Sequence, residues 1–377
     1  MNPHDHRYMR LALQEAVKGQ GRTSPNPCVG AVIVRDDTVV GRGYHRKAGT
    51  PHAEVNAIAA AGAAARGATM YVTLEPCNHS GRTPPCTLAV LAAGISRVVV
   101  GMRDPNPAVA GGGSSFLAAQ GIEVETGVLE EQCRALNRGF IKHAATGLPW
   151  VVMKAGMSLD GKITFKRGRG GQLTGEQSRL FTHRLRDTLD AILIGVDTAL
   201  IDDPSLTTRL PDGAGRDPLR VILDTTLRLA PQAAMLRQQS DAATWVFCGT
   251  DAPAEREKQL AGAGAVIRRV GRDERGRLDL EEVLRSLGRA DITSVLVEGG
   301  ATVHGSMLRQ GLVDQVYLFV APFFIGRPGT PLVGDSAIND ENGGLRLTDI
   351  DLLHLGDDVL IQGLVLPADN AAGQDRP

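Results

Sequence analysis

Aromatic side chains are scarce in this 377-residue chain, where Phe, Tyr and Trp together make up 4% of the residues. A groove that strips bases from single-stranded nucleic acid needs aromatic stacking platforms and a basic lining. Charge of either sign is also lacking in excess, with 41 Lys and Arg against 42 Asp and Glu for a formal charge of -1. No nucleic acid partner is expected, and an anionic ligand must be held by local cations and helix ends. Cysteine is sparse too: the five, at 28, 77, 86, 133 and 248, form an odd and scattered set. That is no disulfide framework in a chain of this length, and a reducing cytoplasm is the expected location. No apolar run approaches the roughly 20 residues that cross a bilayer. The polar opening Met1-Asn2-Pro3-His4-Asp5-His6 does not read as a signal peptide, so no membrane partner is expected. What is present is a hydrophobic fraction of 42%, which suffices for two domains with real cores.

The densest chemistry lies between His52 and Cys86, in His52-Ala53-Glu54, Glu75-Pro76-Cys77 and Gly81-Arg82-Thr83-Pro84-Pro85-Cys86. A catalytic zinc needs three protein ligands, an open position for water and a carboxylate to move protons. One imidazole (His52), two thiolates (Cys77 and Cys86) and one spare acid (Glu54) meet that requirement. His52 follows Thr50-Pro51 and precedes a run of good helix formers, which predicts its place on a helix's first turn. Residues 68–74 read as a strand that Pro76 stops just before Cys77, and Cys86 opens another helix after two prolines. Two positive helix ends then favour thiolate over thiol. A structural zinc is the competing explanation, but it wants a fourth protein ligand, and only His79 offers itself nearby.

The zinc deaminase signature is H-x-E followed by P-C-x-x-C, with the Glu as proton shuttle. Eight residues here separate Cys77 from Cys86 where that signature has two. With this longer insertion, the three pieces resemble the deaminase domain of the bifunctional riboflavin-biosynthesis deaminase/reductase family. The resemblance implies a cytidine deaminase-like three-layer α/β domain. The element order agrees, with a helix over 5–18, a hairpin about Asp36-Asp37, the zinc-bearing pieces, a strand over 95–100, a further helix and strand to Thr126, and a helix from about Leu129 to Ala144. The resemblance also implies that Asn26 and His45 contact a pyrimidine ring, and that His79 and Arg82 neighbour the ring or its ribose phosphate. The Asp104-Pro105-Asn106-Pro107 loop has a counterpart in the family as well.

Thr146-Gly147-Leu148-Pro149 reads as a boundary, because a helix ends there in Gly and Pro and a new strand begins. Beyond it, strands are expected at 150–155, 189–195, 219–224, 244–248, 265–270, 293–298, 314–320 and 353–365, with helices at 175–187, 254–262, 279–288 and 301–311. That alternation predicts a mostly parallel sheet with an antiparallel end. No G-x-G-x-x-G follows a strand, so an ordinary Rossmann site is not supported. Val297-Glu298-Gly299-Gly300 instead leads into a helix whose first N-H groups can hold phosphate, although a tight structural turn explains such glycines as well.

Lys154 to Lys162, Gly195-Val196-Asp197-Thr198 with Asp202-Asp203-Pro204-Ser205-Leu206, and Val297 to Gly300 resemble the family's reductase domain, which implies a dihydrofolate reductase-like fold using NADPH. Carried over by position, Gly156, Thr198, Asp202, Gly300, Ala301, Thr302, Val303, His304, Gly305 and Ser306 are expected on the cofactor. Lys154, Arg186, Leu206, Arg209 and Glu298 are expected on the substrate, with Arg186 and Arg209 gripping phosphate and Lys154 and Glu298 serving the sugar. One departure stands out. The family's Ser and Trp within a Gly-Glu-Ser-Gln-Trp-Ile-Thr run are replaced by Gly170 and Gln172.

The expected organisation is thus a zinc-dependent pyrimidine deaminase domain over 1–147, an NADPH-dependent reductase domain over 148–367 and a disordered tail over 368–377. The expected substrate is a small phosphorylated pyrimidine, and the expected assembly a homo-oligomer. The competitors are a nucleic-acid or nucleoside deaminase with an accessory domain and a non-catalytic zinc- and NADPH-binding sensor, against which the intact Glu54 argues.

Overall fold

The chain is described from a computed structural model, in which residues 3–79, 84–105, 112–334 and 344–366 are described. It divides into two compact units, Met1–Leu148 and Pro149–Pro377. The expected tail at 368–377 lies outside the described residues.

The first unit runs α1 (Pro3–Val17), β1 (Gly30–Arg35), β2 (Thr38–Tyr44), α2 (Ala53–Ala61), β3 (Thr69–Leu74), α3 (Cys86–Ala92), β4 (Arg97–Met102), α4 (Gly113–Ala119), β5 (Glu123–Thr126), α5 (Glu130–Leu136) and α6 (Arg138–Thr146). Its sheet has the order β2-β1-β3-β4-β5. Strand β1 is antiparallel to β2 and β3, and the rest pair in parallel. β3 and β4 are buried at every position after the first, without alternation, as strands covered on both faces must be. The β1–β2 turn uses Asp36 and Asp37 at φ 48° and 56°. Positive φ at both central positions is what a two-residue hairpin turn demands, and Asp is among the residues that tolerate it.

The single helix expected from Leu129 to Ala144 is two helices. Asn137 interrupts them at φ -113°, and its side chain accepts from Cys28 N at 2.8 Å and donates to Cys28 O at 3.0 Å. The break aims the amide at this half-buried backbone pair and satisfies both of its polar groups.

The second unit runs β6 (Trp150–Ser158), β7 (Lys162–Thr164), α7 (Glu176–Thr188), β8 (Ala191–Gly195), α8 (Val196–Asp202), β9 (Leu219–Leu223), α9 (Ala234–Arg237), β10 (Thr244–Gly249), α10 (Ala254–Gly262), β11 (Ala265–Val270), α11 (Leu280–Gly288), β12 (Ser294–Val297), α12 (Ala301–Arg309), β13 (Gln315–Ala321), β14 (Thr330–Pro331), β15 (Leu347–Leu355) and β16 (Asp358–Val365). The main sheet has the order β11-β10-β9-β8-β12-β6-β13-β16-β15. It is parallel from β11 to β13 and antiparallel beyond. The expected single strand over 353–365 is a hairpin, because Gly356 at φ 67° reverses the chain between β15 and β16. Helices α8 and α9 were not expected; α8 follows β8 without an intervening loop, so no breaker marks it.

This topology fixes where a ligand can sit. Strands β8 to β11 progress toward one edge, then β12 returns between β8 and β6 and the chain continues to β13 on the other side. The crevice beyond the carboxyl ends of β8, β12 and β6 lies at that reversal, where the flanking loops diverge.

Candidate active sites

In the first unit, Gly41 and Gly43 let α2 lie directly on β2. A Cβ on Gly43 would stand 2.4 Å from Ala53 O and Ala57 N, so only glycine permits the approach. The helix start is tied down by Asn56, whose Nδ2 donates to Tyr44 O at 2.9 Å. His52 caps that helix in an extended conformation, and Cys86 is the first residue of α3. Cys77 follows β3 and accepts from the backbone N-H of Cys86 at 3.3 Å.

These elements bring His52, Cys77 and Cys86 together, with all ligand atoms within 4.8 Å of one another. His52 Nδ1 is 3.2 Å from Cys86 Sγ and 3.6 Å from Cys77 Sγ. Imidazole and thiolate on a tetrahedral zinc stand about 3.6 Å apart, given the usual bond lengths, so the donor set fits that ion. The Cys77 thiol is pulled down by its hydrogen bonds with Cys86 and His52, while the same Cys86 contact, burial and the charge of Glu54 push Cys86 up.

Glu54 is 3% exposed, and burial raises its carboxyl to about 7. It reaches the Cys86 thiol and stands beside the ligand cluster without belonging to it. His45 and Asn26 also meet. Asn26 Nδ2 lies 3.1 Å from His45 Nε2, and His45 Nδ1 lies 3.3 Å from Pro51 O. A proton on Nδ1 satisfies both contacts, and burial lowers the His45 pKa, so the ring is neutral and its orientation fixed. Its ring lies edge-on to His52, with centroids 5.2 Å apart. His79 is exposed and outside the ligand cluster, so it supplies no fourth ligand there. Arg82 lies outside the described residues.

Glu75 carries a task that sequence reasoning missed. Its two carboxylate oxygens accept from Ser114 N at 2.9 Å and from Asp104 N at 3.2 Å, closing the base of the 105–113 segment beside Cys77. At the same place Gly113 meets Pro76, where a Cβ would fall 1.8 Å from the Pro76 carbonyl oxygen. An acid directly before Pro-Cys at a strand end is the signal that was available.

In the second unit, the crevice holds a cavity of about 430 Å³. Lys154, Gly156, Thr198, Asp202, Glu298 and the run from Gly300 to His304 all line it, together with the loop Gly168 to Thr174. Gly305 is buried within α12, and Ser306 lines a neighbouring cavity. Thr198 Oγ1 accepts from Gly300 N at 3.2 Å, joining α8 to the start of α12. His304 is buried, which lowers its pKa to about 4 and keeps it neutral.

Two charged residues of its lining, Lys154 and Glu298, form a triad with Arg186. Arg186 grips Glu298 with two parallel bonds, Nε to Oε1 at 2.7 Å and Nη2 to Oε2 at 3.0 Å, and donates from Nη1 to Thr207 O at 3.0 Å. Lys154 Nζ is 3.7 Å from Glu298 Oε2. Burial alone would raise the Glu298 pKa, but the Arg186 and Lys154 charges hold it down at about 2. Burial lowers the Lys154 pKa against the pull of Glu298. Arg186, expected to grip phosphate, is here paired with Glu298 and the Thr207 carbonyl. Arg209 is exposed, with Nη1 near Ser205 Oγ and Thr207 Oγ1 at 3.1 and 3.2 Å. Leu206, between those two hydroxyl residues, is buried at φ 54°, a conformation that costs energy for a non-glycine residue.

The Gly170 departure has a physical counterpart. A Cβ at 170 would stand 1.6 Å from Asp202 Oδ1, so the Asp202 carboxylate fills the space that a side chain at 170 would take. Gln172 turns back on its own loop, donating to Thr174 O at 2.9 Å.

Asp160 organises the loop opposite. It accepts from Ser158 Oγ at 2.7 Å and from the backbone N-H groups of Ile325 and Gly326 at 3.0 and 2.7 Å, which together lower its pKa to about 2. A carboxyl depressed on folding stabilises above its unfolded value and loses that contribution as pH falls through the folded one. The melting temperature of Asp160→Asn should therefore lie below that of the parent by a constant margin above about pH 5. Melts from pH 6 downward should show the margin closing between about pH 4 and pH 2.

Comparison with known proteins finds a match for each unit. Residues 2–102 match the cytidine and deoxycytidylate deaminase zinc-binding region, and residues 149–361 match the RibD C-terminal domain. The riboflavin biosynthesis protein RibD of Bacillus amyloliquefaciens is 40% identical over 98% of each chain. The chain belongs to the RibD family. The Escherichia coli RibD is 38% identical over 95% of this chain and 98% of its own. Among solved structures, the Acinetobacter baumannii RibD superposes with a TM-score of 0.86 at 36% identity, covering 97% of this chain and 99% of the other. A Thermotoga maritima structure described as a diaminohydroxyphosphoribosylaminopyrimidine deaminase/5-amino-6-(5-phosphoribosylamino)uracil reductase gives 0.82 at 34% identity, over 97% and 99% of the two chains. Within this RibD-family chain, the deaminase match includes all three candidate ligands, and the RibD C-terminal match begins at the first residue of the second unit.

Proposed function

We propose that the chain carries out two successive steps of riboflavin biosynthesis. The first is hydrolytic deamination of 2,5-diamino-6-(5-phosphoribosylamino)pyrimidin-4-one, and the second is NADPH-dependent reduction of the ribosyl group to ribityl, giving 5-amino-6-(5-phosphoribitylamino)uracil. The observation that carries the reading is the His52, Cys77 and Cys86 cluster with the buried Glu54 beside it, in a chain of the RibD family.

His52, Cys77 and Cys86 would hold the zinc, which when bound lowers the pKa of a water toward neutrality. Glu54, its carboxyl raised to about 7, takes a proton from water and returns it to the departing amine as ammonia leaves. Asn26 and the neutral His45 present fixed polar groups to the pyrimidine ring, with His79 and Arg82 toward the ribose phosphate. In the second unit NADPH supplies hydride when bound, held by Gly156, Thr198, Asp202 and the Gly300 to Ser306 run. Lys154 and Glu298 serve the sugar hydroxyls and assist opening of the ring to the imine that is reduced. Arg186 and Arg209, with Leu206 between Ser205 and Thr207, serve the phosphate end. The chain is proposed to work as a cytoplasmic homo-oligomer on a small phosphorylated pyrimidine, not on nucleic acid. Its net charge of -1 and its 4% aromatic content support that reading.

Purified protein given the diaminopyrimidine ribosyl phosphate, with and without NADPH, tests both halves at once. Ammonia is expected in both cases, with NADPH absorbance falling only after ammonia appears. Ammonia without loss of NADPH would reject the reductase half, and no ammonia from zinc-loaded protein would reject the deaminase half.

A further inference from the structure

A second cavity of about 360 Å³ opens beside the first and shares Gly195, Asp197, Thr302 and Val303 with it. Its floor is apolar, formed by Val196, Leu223, Leu278, Leu280 and Val303, and its polar wall includes Arg277 and Arg228. The volume suits one nucleoside, and the lining combines a slot for a flat ring with fixed cations.

The charges there are not equivalent. Arg228 is exposed and paired with Asp197 at 2.7 Å. Asp273 accepts from the backbone N-H groups of Arg275 and Arg277 and stands 3.9 Å from Arg309. Arg277 is half-buried and donates from Nη1 to Ser306 Oγ at 3.2 Å, a neutral partner. Among the described residues it forms no ion pair, so both carboxylates of the cavity are engaged elsewhere and one guanidinium is left to a ligand.

We propose that this cavity takes the adenosine end of the reduced dinucleotide, that Arg277 binds its 2′-phosphate, and that this contact sets the preference for NADPH over NADH. The inference rests on the reductase reading above. A dinucleotide whose redox ring lies against Lys154 and Glu298 carries its second ring past the start of α12, through the Thr302 and Val303 wall that the cavities share. A phosphate monoester dianion then meets a planar guanidinium, the pairing for which arginine is best suited. Arg228, released from Asp197, reinforces the same anion.

Calorimetric titration of the full-length protein with NADP⁺, NAD⁺, 2′,5′-ADP and 5′-AMP tests this without turnover. The parent should bind NADP⁺ at least tenfold tighter than NAD⁺, and 2′,5′-ADP tighter than 5′-AMP by a similar factor. Arg277→Ala should remove most of both preferences by weakening only the 2′-phosphorylated ligands, and Arg277→Lys should retain part of them. Equal weakening of NADP⁺ and NAD⁺, or an unchanged preference, would overturn the assignment. A parent that binds both dinucleotides equally would overturn it too. If the parent binds neither, the reductase reading itself falls and takes the assignment with it.

Discussion

Glu54→Gln is expected to retain one zinc per chain and to release ammonia about 10²- to 10⁴-fold more slowly, the range general acid-base catalysis supplies. The side chain sits beside the His52, Cys77 and Cys86 cluster but outside it, so removing its charge takes no ligand from the metal. It is buried, and Gln matches its shape, so the fold has no reason to suffer. Elemental analysis, a melt and an ammonia assay on the same preparation separate the possibilities. Lost zinc would make Glu54 a ligand or its support, and retained turnover with zinc present would give proton transfer to another group. Reduction of deaminated substrate by the second unit should be unaffected.

The largest stability effect is expected at Glu298. Replacing it with Ala leaves Arg186 and Lys154 as two largely buried like charges without their shared carboxylate, and breaking a buried pair from one side costs up to about 3–5 kcal/mol. Reductase activity should be lost and the transition of the second unit should move to lower temperature, while ammonia release persists. The carboxyl titrates near pH 2 in the folded protein, so the pair contributes fully above the unfolded value of about 4.5 and fades only below it. Glu298→Gln keeps the shape and one acceptor, and should fall between the parent and Ala. Calorimetry with both activities followed through the melt checks this, and an unchanged transition for Ala would mean the cations find water instead.

The zinc-bearing stretch was legible because its ligands sit at element ends that prolines and helix formers mark locally. The first hairpin was legible for the same reason, in two aspartates. What escaped was decided at long range. Asn137 breaks a good helical pattern to reach Cys28, 109 positions away, and the pairing of Arg186 with Glu298, 112 positions away, leaves no local signal. The β15–β16 turn was hidden because a strand pattern continues on both sides of Gly356. Arg277 carries no pattern at all. Only the meeting of its loop with α12 gives it a cavity to face.

The Glu75 carboxylate has a consequence for how such a chain can diversify. By stapling Asp104 to Ser114 it holds the two ends of the intervening segment together next to Cys77. Closing a longer loop costs little, about 0.6 kcal/mol for each doubling of its length. A change of length between those two anchor points, with Gly113 kept against Pro76, is therefore expected to leave Cys77 in its place.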